Sequence, residues 1–233
     1  MGKRGNGYGS EDHFHRYWAQ QRQDLEAAVL SAVGTRGSLE WVYPSADPSA
    51  REPEGLAFLC AESQDVLDRW KDFWPQTGTQ QCWDGIARLE TGVATEWILI
   101  EAKANHAEFC TPPCGAARHG GRPQIEHALS ATKGHLEVHR DFSWLGSYYQ
   151  HANRLATLHF LSLQGISAHL LDVLFVGDEF PDHRRCPQSE SEWRELLKAR
   201  QLTLGLPDRH ALSGQLHEVF LPALPPRAIP AST

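Results

Sequence analysis

Hydrophobic positions along the chain recur with two periods, one typical of α-helices and the other of β-strands. The helical period predicts helices over residues 11–33, 55–74, 123–138, 144–165 and 189–200. Alternating or continuous apolar runs predict strands over residues 38–44, 82–90, 95–103, 167–178 and 217–222. Local signals agree with these limits, since Gly34 and Gly165 follow two of the predicted helices and Pro75 follows a third.

The order of these elements predicts the fold class. A short connection around Gly92 joins two predicted strands and is typical of an antiparallel hairpin. The apolar run over 167–178, which follows two predicted helices, is typical of a strand covered on both faces. We therefore expect an α/β fold with a mixed central β-sheet flanked by helices, in the core order helix, three strands, helix, strand.

Length and composition favour one domain. A chain of 233 residues can bury a sizeable core, and we expect residues 11–222 to form it. The glycine-rich, charged residues 1–10 predict a disordered arm, and the proline-rich residues 223–233 predict a similar tail. Residues 1–10 lack the apolar segment of a secretory signal, and no apolar run is long enough to cross a bilayer. A cytoplasmic protein without a membrane partner is the expectation.

The cysteines are odd in number and scattered, which is typical of a reduced protein rather than a disulfide framework; they are Cys60, Cys82, Cys110, Cys114 and Cys186. Two of them, Cys110 and Cys114, have His106 and His119 nearby and are candidates for a structural zinc site. Because three residues separate these cysteines and no second pair follows, the zinc signature is weak.

The net charge of −7 argues against a protein that coats nucleic acid through bulk electrostatic attraction. It remains compatible with an enzyme that has a local basic cleft. Residues 101–160 hold seven of the thirteen histidines, and their basic and acidic residues nearly balance. An anionic ligand is therefore expected in that part of the chain.

Residues 97–103, with the sequence Trp-Ile-Leu-Ile-Glu-Ala-Lys, form an apolar predicted strand whose last residues include two charged side chains. Side chains alternate along a strand, so Glu101 and Lys103 share one face while Ala102 faces the other. If residue i of the preceding strand pairs with roughly residue 186 minus i, Asp84 lies opposite Ala102. We therefore expect Asp84, Glu101 and Lys103 to converge at the open end of the hairpin. The alternative is a water-facing ion pair of Glu101 and Lys103, with Asp84 as a turn residue.

Two converging carboxylates have a specific chemical use. They repel each other, and a divalent cation between them keeps both ionised. Hard oxygen ligands favour Mg²⁺ or Mn²⁺, which accept phosphate oxygens as further ligands. A lysine beside such an ion can orient or deprotonate a water molecule and offset the charge that develops on phosphorus. Asp84, Glu101 and Lys103 in this arrangement predict the hydrolysis of phosphodiester bonds.

The same residues resemble a known family. Asp84 and the run Glu101-Ala102-Lys103, on consecutive strands after an N-terminal helix, are similar to the PD-(D/E)xK nuclease superfamily. The predicted order of elements over residues 11–176 matches the core of that superfamily, and several runs resemble one bacterial group within it: "WDGIA", "WILIEAKAN", "YYQHANRLATLHFL" and "LLDVLFVGD". One position departs from the pattern, since Trp83 stands where the superfamily's name has proline.

The resemblance implies a restriction-endonuclease-like fold and a nuclease that depends on Mg²⁺ or Mn²⁺ and acts on nucleic acid, DNA more readily than RNA. It implies Asp84 and Glu101 as metal ligands, the backbone carbonyl of Ala102 as a third ligand, and Lys103 as the catalytic lysine. The superfamily often adds an acid from its first helix. Glu26 is the candidate here, and Glu40 on the first strand is another. The alternative function is a catalytically silent module of this fold that binds nucleic acid or protein.

Further polar residues near these positions have two interpretations each. Gln150, Asn153 and Arg154 lie within one helical turn, and they either line the cleft and hold a phosphate or form the wet face of the helix. His106 and Glu108 follow the strand and are candidates for contact with substrate or a second metal, although a surface position is more common for such a histidine. With no separate recognition domain apparent, substrate specificity is expected to come from insertions such as residues 104–122.

Overall fold

A computed structural model describes residues 8–47, 49–60, 63–78, 80–179 and 184–225. Apart from residues 8–10 and 223–225, the predicted arm and tail lie outside the described residues. Within the described ranges the α-helices are α1 (Ser10–Gln20), α2 (Arg22–Val33), α3 (Gln64–Phe73), α4 (His106–Phe109), α5 (Arg122–His135), α6 (Tyr149–Leu163) and α7 (Glu190–Leu204). The strands are β1 (Ser38–Tyr43), β2 (Gly85–Glu90), β3 (Thr95–Lys103), β4 (Ala168–Val176) and β5 (Leu216–Pro222). None of these helices is both long enough and apolar enough to span a bilayer.

The five strands form one mixed sheet in the order β1-β2-β3-β4-β5. β1, β2 and β3 form an antiparallel meander, whereas β3, β4 and β5 run parallel. The crossover from β3 to β4 passes through α4, α5 and α6, and α7 connects β4 to β5. The predicted α/β class, with a mixed sheet flanked by helices, is confirmed. Its topology places the carboxyl ends of β3, β4 and β5 at one edge of the sheet.

Two of the predicted helices differ most from the structure. The helix predicted over 11–33 is divided at Gln21, whose φ of −131° interrupts it. The break allows apolar residues of both α1 and α2, such as Phe14 and Leu25, to pack in one cluster against the sheet. The helix predicted over 55–74 begins only at Gln64, where the Ser63 hydroxyl accepts a hydrogen bond from the N–H of Val66 at 3.4 Å.

Apolar side chains pack on both faces of the sheet. Ile98, Ile100 and Ala102 of β3 belong to the cluster that α1 and α2 cover. Trp97 and Leu99 belong to the other cluster, which contains residues of α3, α5, α6 and α7. The predicted alternation along β3 is therefore confirmed. The charged side chains at the end of β3 share the face of Trp97 and Leu99 and therefore point toward α6.

Side chains of neighbouring residues come unusually close to the backbone of Gly85, the first residue of β2. A Cβ at this position would lie 2.7 Å from Cζ of Phe14 and 3.2 Å from Cδ1 of Ile100. We expect Gly85→Ala to lower the free energy of unfolding by about 1–3 kcal/mol in chemical denaturation, because the neighbours must shift. Gly115→Ala is the matched control, since a Cβ there meets nothing within 4 Å. Equal stability of the two variants would contradict the close packing at Gly85.

A buried histidine links α5 to α6. His159 is 4% exposed, its Nδ1 lies 3.0 Å from Oγ1 of Thr132, and its ring stacks on His135 with 4.4 Å between centroids. Burial, and then the nearby His135, lowers the pKa of His159 from 6.5 to about 4. The folded protein therefore holds this imidazole neutral at pH values where the unfolded chain would protonate it.

This lowered pKa predicts a dependence of stability on pH. The free energy of unfolding should fall as the pH drops from 6.5 to about 4, because the unfolded chain binds the His159 proton more tightly than the folded chain. The loss attributable to His159 is about 3 kcal/mol. His159→Asn keeps a hydrogen-bonding atom near Thr132 but does not titrate, so denaturation over this pH range should show a shallower slope. An unchanged slope in this variant would contradict the assignment.

Candidate active site

The antiparallel register of β2 and β3 brings Asp84 to the end of β3. Gly85 pairs with Ile100, which differs by one residue from the predicted pairing. Asp84 directly precedes β2, and its Oδ2 accepts a hydrogen bond from the backbone N–H of Ala102 at 2.7 Å. Asp84 therefore lies beside the residue between Glu101 and Lys103, as the sequence predicts.

Glu101 lies at the centre of a hydrogen-bonded network. Its Oε1 accepts from Lys103 Nζ at 2.6 Å and from Gln150 Nε2 at 2.8 Å. Its Oε2 accepts a hydrogen bond from Nε of Arg154 at 2.8 Å, and Nη2 of the same guanidinium lies 2.7 Å from it as an ion-pair contact. Lys103 Nζ also donates to Oε1 of Gln150 at 2.9 Å. The Glu101 side chain is only 7% exposed, so the alternative of a water-facing ion pair with Lys103 is wrong.

Arg154 fixes the orientation of Glu101 from α6. It is 2% exposed, and its guanidinium carbon lies 4.4 Å from the centroid of the Trp83 ring. Its Nη2 also donates to the backbone carbonyl of Cys82. Trp83, the position that departs from the family pattern, thus provides an aromatic surface for this arginine. The interpretation of these α6 residues as a solvent-exposed face is wrong at Arg154, because the residue faces the buried end of β3.

The charges at this site are unequally compensated. Burial, and then the proximity of Glu101, raises the pKa of Asp84 from 3.8 to about 8. Burial alone would raise the pKa of Glu101 too, but Arg154 and Lys103 outweigh it and hold that pKa below its usual value. Burial likewise disfavours the charge of Lys103, yet Glu101 and Asp84 raise its pKa. Glu101 and Lys103 are therefore charged at neutral pH, whereas the positive charge of Lys103 is not enough to offset the effects of burial and of Glu101 on the pKa of Asp84.

Glu52 is an acid near this site that sequence reasoning missed. Burial, and then Glu101, raises the pKa of Glu52, and Glu52 in turn contributes to the raised pKa of Asp84. The segment that carries Glu52 reaches the site because Glu54 forms an isolated antiparallel bridge with Cys82. Glu52 lies in a proline-containing connection between β1 and α3, where no periodic pattern marks its position.

The two additional acids suggested by the family resemblance do not join this site. Glu26 accepts a hydrogen bond from Nε1 of Trp41 at 2.8 Å, on the side of the sheet that α1 and α2 cover. Glu40 has a side chain that is 68% exposed and lies 3.7 Å from Arg88 on the neighbouring strand. Glu26 is thus on the opposite face, and Glu40 faces water on the edge strand β1.

Three other candidate residues make no direct contact with Glu101 among the hydrogen bonds of the described residues. The carboxylate of Glu108 accepts a hydrogen bond from the backbone N–H of Ala104 at 2.9 Å, so it caps the end of β3. His106 is partly exposed at the start of α4. Asn153 is buried on α6, and its Oδ1 has no hydrogen-bond partner among the residues that the structure describes. Of the α6 candidates, Gln150 and Arg154 contact Glu101 directly.

The cysteines of the zinc alternative contact two different tyrosines. The Sγ of Cys110 lies 3.6 Å from the hydroxyl of Tyr148, whereas Cys114 interacts with Tyr149. Across the described ranges, no group of three or more His, Cys, Asp or Glu side chains is arranged to hold a metal ion. A Mg²⁺ site with two carboxylates differs from such a group, because Mg²⁺ commonly takes one or two carboxylates and keeps several waters.

Comparisons of the chain with protein-family models, with curated proteins and with solved structures find no match. The chemistry of the site is therefore inferred from its own residues. These are the carboxylates of Asp84 and Glu101, the lysine that shares a strand face with Glu101, and two residues of α6, a buried arginine and a partly buried glutamine, that hold the Glu101 carboxylate in place.

Proposed function

We propose that this chain is a Mg²⁺- or Mn²⁺-dependent nuclease of the PD-(D/E)xK type, with a restriction-endonuclease-like core, that hydrolyses phosphodiester bonds in DNA. The observation that carries the proposal is the meeting of Asp84, Glu101 and Lys103 at the carboxyl end of β3. The two carboxylates come from adjacent segments of a hairpin, and the lysine shares the face of Glu101. This arrangement provides oxygen ligands for a cation and a positive group for a phosphate.

The donor set fits a hard divalent cation. Asp84, with a pKa raised to about 8 by burial and by Glu101, lies where a positive charge would be stabilised. The N–H and C=O of one strand residue point toward the same neighbour, so the Ala102 carbonyl faces the side on which its N–H meets Asp84. Asp84, Glu101 and this carbonyl would hold the ion. The ion would polarise a phosphate oxygen and lower the pKa of a bound water.

The chain's own residues position the reacting groups. Lys103 donates to Glu101 and Gln150, which leaves one ammonium proton for an attacking water or a phosphate oxygen. Gln150 bridges Glu101 and Lys103 and so fixes their separation. Arg154 keeps Glu101 ionised and oriented, in the way that outer partners orient the ligands of metal sites.

A catalytically silent module that binds nucleic acid or protein is the second candidate. Lys103, Gln150 and Arg154 donate to both oxygens of Glu101, as they would in a purely structural ion-pair network. The net charge of −7 favours the form of this module that binds protein over one that binds a polyanion. Titration with Mn²⁺ separates the two candidates. The nuclease should bind the ion and lose it on Asp84→Asn, whereas the silent module should bind none at Glu101.

Cleavage of DNA tests the proposal. Purified protein should cut DNA with Mg²⁺ and not with EDTA, and should cut RNA more slowly. Lys103→Ala should reduce the rate by about 10²–10³-fold, because one stabilising positive group is removed. The matched control is Lys71→Ala, which removes an exposed lysine of α3 paired with Asp68 and should keep the wild-type rate. Cleavage by Lys103→Ala at the wild-type rate, or no Mg²⁺-dependent cleavage at all, would refute the proposal.

A further inference from the structure

A cavity of about 440 Å³ lies beside the candidate active site, on the same face of the sheet. Asp172 of β4 is on its floor and pairs in register with Glu101 of β3 on one side and with Glu218 of β5 on the other. Helix α7 and residues 206–213 contribute its walls. Because neighbouring strands lie about 5 Å apart, this floor is one strand spacing from the network around Glu101.

The floor carries a buried ion pair with unused hydrogen-bonding capacity. Arg200 Nη2 donates to Asp172 Oδ2 at 2.6 Å, and the two residues are 8% and 5% exposed. In the part of the chain that the structure describes, neither Oδ1 of Asp172 nor Nε and Nη1 of Arg200 bonds another protein atom. An acceptor and donors therefore lie side by side at the base of a cavity. That pattern complements the edge of a nucleobase, on which acceptors and donors are also adjacent.

His151 connects the cavity to the candidate active site. It lines the cavity from α6, one residue after Gln150, which bonds Glu101. Burial, and then Arg200, lowers the pKa of His151 well below 6.5, so its imidazole is neutral. A neutral ring offers a flat surface and one acceptor nitrogen to a ligand without adding charge. A ligand in the cavity would thus lie next to the residues that hold Glu101.

The rim of the cavity is basic on the side of α7. Arg194 and Lys198 both line it, four residues apart on one helix face, and both are exposed. Arg194 pairs with Glu190, whereas Lys198 has no carboxylate partner among the described residues. Asp208 also lines the cavity and accepts a hydrogen bond from Gln201 at 3.0 Å. Lys198 is therefore the rim cation most available to a phosphate.

We infer that this cavity holds one nucleotide of the substrate, next to the phosphodiester to be cut, with its base on Asp172 and Arg200 and its phosphate at Lys198. The substrate class in this inference rests on the proposed function. The volume of the cavity is within the range of about 300–1,000 Å³ that is usual for small-ligand sites. A nucleotide seated there would position the adjacent phosphate over Glu101 and Lys103, and would give the enzyme a preference for one base.

Binding of free nucleotides tests this inference without any cleavage. Each of the four nucleoside 5′-monophosphates is titrated into the full-length protein by calorimetry in EDTA, with inorganic phosphate and ribose 5-phosphate as base-free probes. At least one nucleotide should bind with a Kd below about 1 mM and at least about tenfold more tightly than either base-free probe. No binding by any nucleotide, or equal binding by inorganic phosphate, would overturn the inference.

Variants locate the nucleotide-binding site. They also distinguish a failure of this inference from a failure of the proposed nuclease function. Lys198→Glu, at an exposed position, should weaken nucleotide binding by about tenfold. Asp172→Asn should alter the order of preference among the four bases. Lys71→Glu, on α3, should bind as the wild type does. Unchanged binding in Lys198→Glu would overturn the inference. Nucleotide binding by a protein that cuts no DNA would instead refute the nuclease and leave the cavity assignment standing.

Discussion

Asp84→Asn is expected to abolish Mg²⁺-dependent DNA cleavage, with a loss of about 10³-fold or more in rate. The substitution changes charge and almost nothing else, because the amide oxygen of the new side chain can still accept the hydrogen bond from Ala102 N–H. A neutral amide is a poor ligand for Mg²⁺ and leaves Glu101 as the one charged ligand. Initial rates on a plasmid, measured over a range of Mg²⁺ concentrations, give the size of the effect.

The control for this experiment is the same substitution at a solvent-exposed aspartate. Asp72 is exposed on α3, and Asp72→Asn should cut DNA at the wild-type rate. Thermal unfolding in EDTA should show Asp84→Asn as folded as the wild type, since a carboxyl with a pKa of about 8 is mostly neutral at pH 7 and the amide adds no buried charge. A rate for Asp84→Asn within tenfold of the wild type would show that Asp84 holds no catalytic ion.

Arg154→Met is expected to lower the free energy of unfolding by about 3–5 kcal/mol, because it leaves the buried carboxylate of Glu101 without its main partner. Arg154 makes one hydrogen bond and a close ion-pair contact to that carboxylate and packs on Trp83, so the substitution removes both charge and support. Methionine preserves much of the side-chain volume, which keeps the effect of packing small. Chemical denaturation at neutral pH measures the loss.

A double-mutant cycle assigns this loss to Glu101. The double variant Glu101→Gln, Arg154→Met should be more stable than the sum of the single variants predicts, because neither charge is then left alone. Arg122→Met provides the comparison, since Arg122 pairs with Glu126 at 2.9 Å on the more exposed surface of α5, and its loss should cost far less than that of Arg154. Additive effects of the Glu101 and Arg154 substitutions would contradict the coupling.

The hairpin was predictable from the sequence because its determinants are local. The two-residue period along 97–103 separates Glu101 and Lys103 from Ala102, and that separation is seen in the structure. The register followed from the length of the connection, with an error of one residue, since Glu90 pairs directly with Thr95. Asp84 still reaches Ala102, because a side chain at the end of a strand spans such an offset.

The remainder of the site was not predictable because its determinants are distant in sequence. Arg154 meets Glu101 and Trp83 only when α6 is rotated to present that face to the end of β3. Periodicity identifies the apolar side of a helix but does not distinguish a buried arginine from a solvent-exposed one. Glu52 lies in a connection without periodicity, and the break at Gln21 carries no proline or glycine to mark it.

The central claim is that Asp84 and Glu101 together hold a divalent cation. Crystals grown with Mn²⁺, measured at a wavelength where manganese scatters anomalously, test it most directly because the ion is located without reference to activity. The account predicts an anomalous peak between the carboxylates of Asp84 and Glu101, beside the Ala102 carbonyl, which disappears in Asp84→Asn. Electron density that shows Glu101 bonded to Arg154 and Lys103, with no anomalous peak beside Asp84, would contradict it.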